Sequence, residues 1–491
     1  MLVMGIDLGT SSVKVSVIET DTLTTIASAS FPEIESQISS PQSGWAEQDP
    51  EMWWYNVKQS IIKCNTSSRY NSLEIKAIGI SYQMHGLVVI DKNFKVLRPS
   101  IIWCDSRAVT IGDKAFDKIG KDKCLSHLLN SPGNFTASKL AWVKEKEPDF
   151  YKDIYKAMLP GDFIAMKLSN QISTTVEALS EGIFWDFKNK EISKDVLKHF
   201  QISEHLLPSL KGVFDILGYL DSMIAKEIGL SPKTLISYKA GDQPNNALSL
   251  NVLKPGEIAA TAGTSGVIYG VSDKLTYDHQ SRVNTFAHVN YTPENNKVGV
   301  LLCINGVGIM NRWIRNSTAP NMSYSEMNKV IGTIPIGTEG LRVLPFGNGA
   351  ERMLNNKIVG AHFHNINLNK HTNAHLYRGV QEGIAYSFKY GLDIMRENGM
   401  DPSVIRAGRA NMFLSEPFID AFVNITNTPV ELYDCDGSVG AAIGAGIGSG
   451  IFTSAKQAFS NFKPLEIIQP DGGNKYDTFY EEWKALLNNH L

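Results

Sequence analysis

Two stretches of the chain share one pattern: GIDLGTSSVKVSVIETD (Gly5 to Asp21) and IAATAGTSGVIYGVSDK (Ile258 to Lys274). Each reads as an apolar strand, a Gly-Thr-Ser turn and a second, alternating strand. Gly9-Thr10-Ser11 and Gly263-Thr264-Ser265 hold the same place in the two units. A three-residue match in a glycine-rich chain is weak alone, and the matching flanks strengthen it. The repeat implies two related domains, each opening with the same hairpin and facing the other across a cleft. A length of 491 residues suits two cores better than one. The turn Ser231-Pro232-Lys233 precedes a new strand, which predicts an N-terminal domain of residues 1–238 and a C-terminal domain of residues 239–491. Elsewhere Asp49-Pro50 opens a helix carrying Trp53, Val57 and Ile61 on one face, IKAIGIS reads as a buried strand, and VQEGIAYSFKYGLDIMRENG reads as a long helix stopped at Gly399. The fold class expected is α/β with mixed sheets.

Chemistry is expected at the two turns. A hydroxyl-rich glycine turn presents backbone N–H groups outward, a nest suited to phosphate oxygens. Thr10, Ser11, Ser12, Thr264 and Ser265 add hydroxyl donors, and Lys14 adds positive charge. Asp7, at the end of the first strand, is a candidate Mg2+ ligand. Its counterpart in the second unit is Thr261, an asymmetry natural for a single metal-nucleotide. The net charge of -3 offers no basic field for nucleic acid or anionic lipid. Five cysteines without paired spacing argue against a disulfide framework and against a zinc site, and suit a reducing cytoplasm. MLVMGIDLGT has no basic start, so no secretory leader is expected. No apolar run is long enough to cross a membrane, and the glycine-rich VGAAIGAGIGSGIF (Val439 to Phe452) reads as a closely packed helix.

GIDLGTSSVK, GDQPNNA and TAGTSGV, in that order and spacing, resemble the FGGY carbohydrate kinases, and the resemblance runs over nearly the whole chain. It implies an α/β fold of two actin-like, ribonuclease-H-like domains with a cleft between them. GWAEQDPEMWW, YQMHGLVVID, LRPSIIWCDSRA and LPGDFIAMKL look like the xylulokinase branch of that family. There the Met-His pair touches the sugar, which implies Met84 and His85 as substrate ligands. The residues agree, because YQMHG lies just past a buried strand, where ligand clefts sit. A core histidine is the plainer alternative. WCDSR supplies Trp103 and Asp105 as further rim candidates, with an Asp105–Arg107 ion pair as the structural alternative. INGVGIMNRWIR resembles a segment near the nucleotide and brings in Gly308 and Trp313, the indole having helix-face packing as its alternative. RAGRANMFLSEPF corresponds to a glycine-rich adenosine motif in which Gly408 and Asn411 match and Arg409 departs.

The same resemblance makes Asp242 the catalytic base and Gln243 a sugar ligand. Read from its neighbours alone, Asp242 is also a helix N-cap before PNNALSL, and the two roles are compatible. The reaction implied is the ATP- and Mg2+-dependent phosphorylation of D-xylulose in the cytoplasm, with sugar and nucleotide as partners, neither nucleic acid nor membrane, and a second copy of the chain by analogy with a family that is often dimeric. Ribulose and glycerol are alternative acceptors, since Gln243 stands where xylulokinases often carry asparagine and glycerol kinases glutamine. An actin-like ATPase serving as sugar sensor or chaperone is an alternative of another class.

Overall fold

The structure is a computed structural model that describes residues 1–67 and 69–491. The chain divides into two units. The first comprises Met1–Asn251, Phe286–Val298 and Cys435–Phe462, and the second Val252–Thr285, Gly299–Asp434 and Lys463–Leu491. Among the described residues, no helix is long and apolar enough to cross a membrane.

The first unit is built on β1 (Leu2–Leu8), β2 (Val13–Glu19), β3 (Thr25–Phe31), β4 (Ile75–Tyr82), β5 (Gly218–Tyr219) and β6 (Leu235–Gly241), in the order β5-β6-β4-β1-β2-β3. β1, β2 and β3 pair antiparallel, while β4 lies parallel to both β1 and β6. Nearly every position of β1 and β4 is buried, as in strands covered on both faces. α1 (Pro50–Asn65) begins as the sequence predicts: Asp49 accepts from the Glu51 N–H, and Trp53, Val57 and Ile61 turn inward onto β2 and β3. α2 (Asp242–Ser249) follows β6 directly.

The second unit carries β7 (Glu257–Ala262), β8 (Gly266–Ser272), β9 (Asn284–Ala287), β10 (Val298–Ile304), β11 (Arg342–Phe346), β12 (Gly360–His364), β13 (Val404–Gly408), β14 (Val430–Tyr433) and β15 (Glu466–Ile468), with the end of β9 and the first residue of β10 falling in the Phe286–Val298 stretch of the first unit. Its sheet runs β9-β10-β8-β7-β13-β14-β15, and β11 and β12 form a separate antiparallel hairpin. β7 is antiparallel to β8 and parallel to β13, which is parallel to β14. The order β2-β1-β4-β6 therefore recurs as β8-β7-β13-β14, and the repeat seen in the sequence is a repeat of topology. α3 (Gly308–Thr318) follows β10, and α4 (Asn373–Glu397) buries Val380, Ile384, Phe388, Leu392 and Met395 before stopping near Gly399, which has a left-handed φ of 82°.

α5 (Gly437–Gly448), the glycine-rich helix, comes late in the chain and belongs to the first unit. It lies on β1 and β4 with backbone against backbone: a Cβ on Gly5 would stand 1.8 Å from the Ser438 carbonyl oxygen, and one on Gly79 2.0 Å from that of Ala441. The division of the chain therefore differs from residues 1–238 and 239–491. β6 pairs in register with β4, Gly241 opposite Tyr82, so Asp242 and α2 are carried by the first unit. Return of Cys435–Phe462 makes that unit discontinuous, which no single cut describes.

Candidate active site

Three strand ends meet in the first unit. β1, β4 and β6 run side by side, and Asp7 and Ala240 both pair with Ser81. The chain leaves β1 into the Gly9–Ser12 turn, β4 into Gln83-Met84-His85, and β6 into α2, whose first residue is Asp242. The C-terminal edge of parallel strands is where α/β folds place ligands.

Asp242 does not make the N-cap bond: Gly241 occupies the cap position, and no side chain caps the helix. Backbone and side-chain amides of Gln243 bond the Asp242 carboxyl. Burial, and then the charge of Asp7, push its pKa up to about 7 despite those bonds. A carboxyl so poised exchanges its proton at neutral pH, where an ordinary aspartate (~3.9) is a weak base.

Asp7 Oδ1 accepts from Ser81 Oγ at 2.7 Å. Burial and the nearby Asp436 raise its pKa, against the Ser81 bond and Lys14. Asp436 is the N-cap of α5: its Oδ1 accepts from the N–H groups of Ser438 (2.9 Å) and Val439 (3.1 Å), and its Oδ2 accepts from Lys14 Nζ at 2.6 Å. Lys14, expected to face phosphate, is thus held by Asp436. The start of α5 also closes on Asp7, since a Cβ on Gly437 would stand 2.5 Å from Asp7 Oδ2. Asp7 and Asp242 are hard oxygen donors, and the charge of Asp7 raises the pKa of Asp242, a pairing that suits Mg2+.

His85 has a left-handed φ of 61°. Its Nδ1 lies 3.2 Å from the Glu181 carbonyl oxygen, an acceptor, so Nδ1 carries a proton there. Its ring sits 4.8 Å from Phe135 and 5.2 Å from Phe286 between centroids. The His85 carbonyl accepts from Lys139 Nζ at 2.8 Å. Lys139 is buried, and burial pushes its pKa down to about 7. Met84 is buried against the end of β6, where a Cβ on Gly241 would stand 2.7 Å from Met84 Cγ. Met84, His85, Asp242 and Gln243 are therefore gathered at the ends of β4 and β6.

Trp103 and Asp105 are used differently. The exposed Trp103 indole donates from Nε1 to Thr10 Oγ1 at 3.0 Å, joining the Gly9–Ser12 turn, and Thr10 donates onward to Gln83 Oε1 at 3.2 Å. Ser11 is exposed and Ser12 partly so. Asp105 is buried and saturated: its Oδ2 accepts from Arg107 Nη2 at 2.7 Å, Arg107 Nε at 2.9 Å and the Ala46 N–H at 2.6 Å. The expectation of Asp105 as a sugar ligand gives way to the ion-pair alternative, because its Oδ1 is taken as well, accepting from the Arg107 N–H at 2.8 Å and Arg107 Nε at 3.0 Å.

In the second unit the Gly263–Ser265 turn joins β7 to β8. The Gly308 N–H donates to the Gly263 carbonyl at 2.8 Å and the Ile309 N–H to that of Thr264 at 3.2 Å. A Cβ on Gly308 would stand 2.4 Å from the Gly263 oxygen, so only glycine permits the approach of α3. Asn411, with a φ of 55°, lies just past β13, its Nδ2 3.5 Å from where a Gly263 Cβ would be. Gly263, Thr264, Gly308 and Asn411 are thus brought together, and Gly408 ends β13 opposite Tyr433. Arg409 is exposed. Trp313 is 53% exposed on α3, 6.5 Å from Phe363 between ring centroids, so core packing does not account for it.

Glu177, Glu181 and Asp436 escaped the sequence reading. Glu177 and Glu181 lie one turn apart on the helix Val176–Glu181, both buried, and burial raises both carboxyl pKa values. Glu177 Oε1 accepts from the Gly241 N–H at 3.2 Å. Glu181 points at the same glycine, its Oε2 3.1 Å from where a Cβ would be, and neither of its oxygens has a well-formed hydrogen bond. Glutamates four apart read as a solvated face, so the sequence carries no signal for this pair. Asp436 did carry one, an aspartate immediately before a helix of small residues.

Residues 2–249 match the pattern described as the FGGY family of carbohydrate kinases, N-terminal domain. The chain is 28% identical to the xylulose kinase of Bacillus subtilis (strain 168), over 99% of this chain and 96% of that protein. Identity to the xylulose kinase of Escherichia coli (strain K12) is 25%, over 94% and 92%. The solved xylulose kinase from Rhodospirillum rubrum superposes with a TM-score of 0.88 at 24% identity, covering 100% of this chain and 99% of that one. Plasmodium falciparum glycerol kinase with ADP superposes with a TM-score of 0.87 at 20% identity, covering 100% and 98%. The structural likeness establishes the actin-like two-domain fold and is shared by proteins named for different substrates.

Proposed function

This chain belongs to the FGGY family of carbohydrate kinases, and from that premise we propose that it transfers the γ-phosphoryl group of ATP to D-xylulose, giving D-xylulose 5-phosphate and ADP. The observation that carries the chemistry is the Asp242 carboxyl, poised at about 7 beside Asp7 at the strand ends. The choice of sugar is supported by the xylulose kinases that match the chain from end to end.

The acceptor lies against Met84 and His85. Because His85 Nδ1 is committed to the Glu181 carbonyl, Nε2 faces the sugar as a hydrogen-bond acceptor. Gln243 orients the Asp242 carboxylate, which takes the proton of the attacking hydroxyl as the new O–P bond forms and the bond to the ADP oxygen breaks. The transition state is loose, so alignment contributes more than base strength. Within the second unit, the N–H groups of the Gly263–Ser265 turn, with Thr264, receive phosphate oxygens, and within the first the Gly9–Ser12 turn, with Thr10, is a nest of the same kind. Gly308, Gly408, Asn411 and Trp313 serve the nucleotide. Asp7 would hold Mg2+, which when bound would supply positive charge to those oxygens. Five free cysteines favour the cytoplasm as its compartment, and a homodimer is the assembly to test by mass in solution.

The test is ADP release from MgATP over a panel of ketoses and polyols. D-Xylulose should give the highest kcat/KM. A higher value with ribulose or glycerol replaces the acceptor, and ADP release indifferent to every sugar rejects the kinase reading.

A further inference from the structure

The C-terminal helix α6 (Asp477–Asn488) is anchored on the β11–β12 hairpin by Trp483, which is buried and donates from Nε1 to the Val343 carbonyl at 2.7 Å. The helix ends in a further turn, with the His490 N–H bonded to the Leu487 carbonyl at 2.9 Å. This sets the His490 ring 4.3 Å from that of His362 and 5.7 Å from that of His364, between centroids. His362 and His364 stand two apart on β12, hence on one face of the strand. One ring nitrogen from each of the three imidazoles lies within 4.8 Å of the other two.

The hydrogen bonding of His362 is that of a metal ligand. His362 Nε2 lies 2.7 Å from the Val359 carbonyl oxygen, which can only accept. Nε2 therefore carries the proton, and Nδ1 is left with a free lone pair. A backbone carbonyl fixing the distal N–H in this way is the usual support of a metal-bound histidine. His364 Nε2 is shut off from solvent and has no hydrogen-bond partner. No carboxylate belongs to the cluster, so its chemistry differs from that of the oxygen donors around Asp7.

We propose that His362, His364 and His490 form a site for one divalent transition-metal ion of the imidazole-preferring kind, such as Zn2+ or Co2+, which pins the C-terminal turn onto β12. Tetrahedral zinc takes nitrogen at about 2.0–2.1 Å, which puts its ligand nitrogens about 3.3 Å apart. Rotation of the rings, above all of the terminal His490, closes the difference. Three histidines leave the fourth position to water. Mg2+, which demands oxygen, is not a ligand of this site.

The full chain, stripped with chelator, is titrated with Co2+ and then with Zn2+. One equivalent of Co2+ should give the visible bands of a low-coordinate nitrogen site, without a thiolate charge-transfer band, and Zn2+ should displace it and raise Tm. His490→Ala should weaken Zn2+ binding at least tenfold, about 1.4 kcal/mol, and abolish the Tm rise. His364→Gln should do the same. The metal-free Tm of His490→Ala matching the parent would show that the variant folds. Binding unchanged in His490→Ala, a spectrum of cysteine ligation, or no binding by the parent above that of the variant overturns the proposal.

Discussion

Lys14 Nζ and Asp436 Oδ2 lie 2.6 Å apart although 422 residues separate them in the chain. The bond ties the first hairpin to the cap of α5, whose first N–H groups the same carboxylate holds. Both side chains are partly exposed, so the ion pair itself contributes about 0.2–1 kcal/mol. The cap contributes about 0.5–2 kcal/mol. Asp436→Ala should therefore lower the stability measured in urea by about 1–2 kcal/mol, and Lys14→Ala by less. A larger loss from Lys14→Ala would give the ion pair, not the cap, the main role.

Asp242→Asn should fold and lose phosphoryl transfer. Turnover within about tenfold of the parent, a barrier change under ~1.4 kcal/mol, would remove Asp242 as the base. The parent should lose kcat/KM as pH falls through about 7, where burial and Asp7 hold this carboxyl.

Stability should move the opposite way. The folded pKa of Asp242, about 7, stands above the unfolded value of ~3.9, so the folded state binds the proton more tightly. Its contribution is fully present below about pH 4 and is lost as pH rises through about 7. Melting temperatures of Asp242→Asn and parent should agree near pH 4 and diverge in favour of the variant by pH 8. A constant gap across that range would place the carboxyl's pKa at its ordinary value.

His85→Ala should raise the sugar KM by about tenfold or more, the loss of one hydrogen bond and a ring wall amounting to roughly 1.5 kcal/mol, with the nucleotide KM little changed. An unaltered sugar KM would return His85 to a packing role between Phe135 and Phe286.

Gly79→Ala forces a Cβ to within 2.0 Å of the Ala441 carbonyl oxygen. Displacing α5 from β4 should lower stability by about 3 kcal/mol or more. Gly473→Ala, exposed and with its nearest neighbour at 3.4 Å, is the control and should be near neutral. Equal melting points for the two variants would mean that α5 yields without strain.

The hairpin repeat, the helix opened by Asp49-Pro50 and the stop at Gly399 were legible because each depends on neighbours in sequence. Gly308 entered only through the family resemblance, and the structure supplies the reason a glycine stands there, its close approach to the Gly263 carbonyl. The place of Asp242 was not legible, because what assigns it to the first unit is the pairing of β6 with β4, a contact across more than a hundred residues. Asp105 misled for a related reason: a carboxylate on a rim segment looks available until Arg107 and the Ala46 N–H are seen to fill it. Glu181 gave no sign, since nothing in VEALSE distinguishes a buried glutamate from a solvated one. The histidine cluster joins a strand to the last turn of the chain, and cysteine spacing, the cue used for zinc, says nothing about it.

α5 gives the protein a timetable. A ribosome delivers about 5–20 residues per second from the N-terminus. The first sheet is complete in the growing chain at Gly241, yet the helix that covers Gly5 and Gly79 is encoded at residues 437–448. Roughly 200 residues intervene, which at that speed is about 10–40 s. For that interval the newborn first unit carries an open apolar face with its partner still unmade, while Val252–Thr285 and Gly299–Asp434 of the second unit emerge before the first can close.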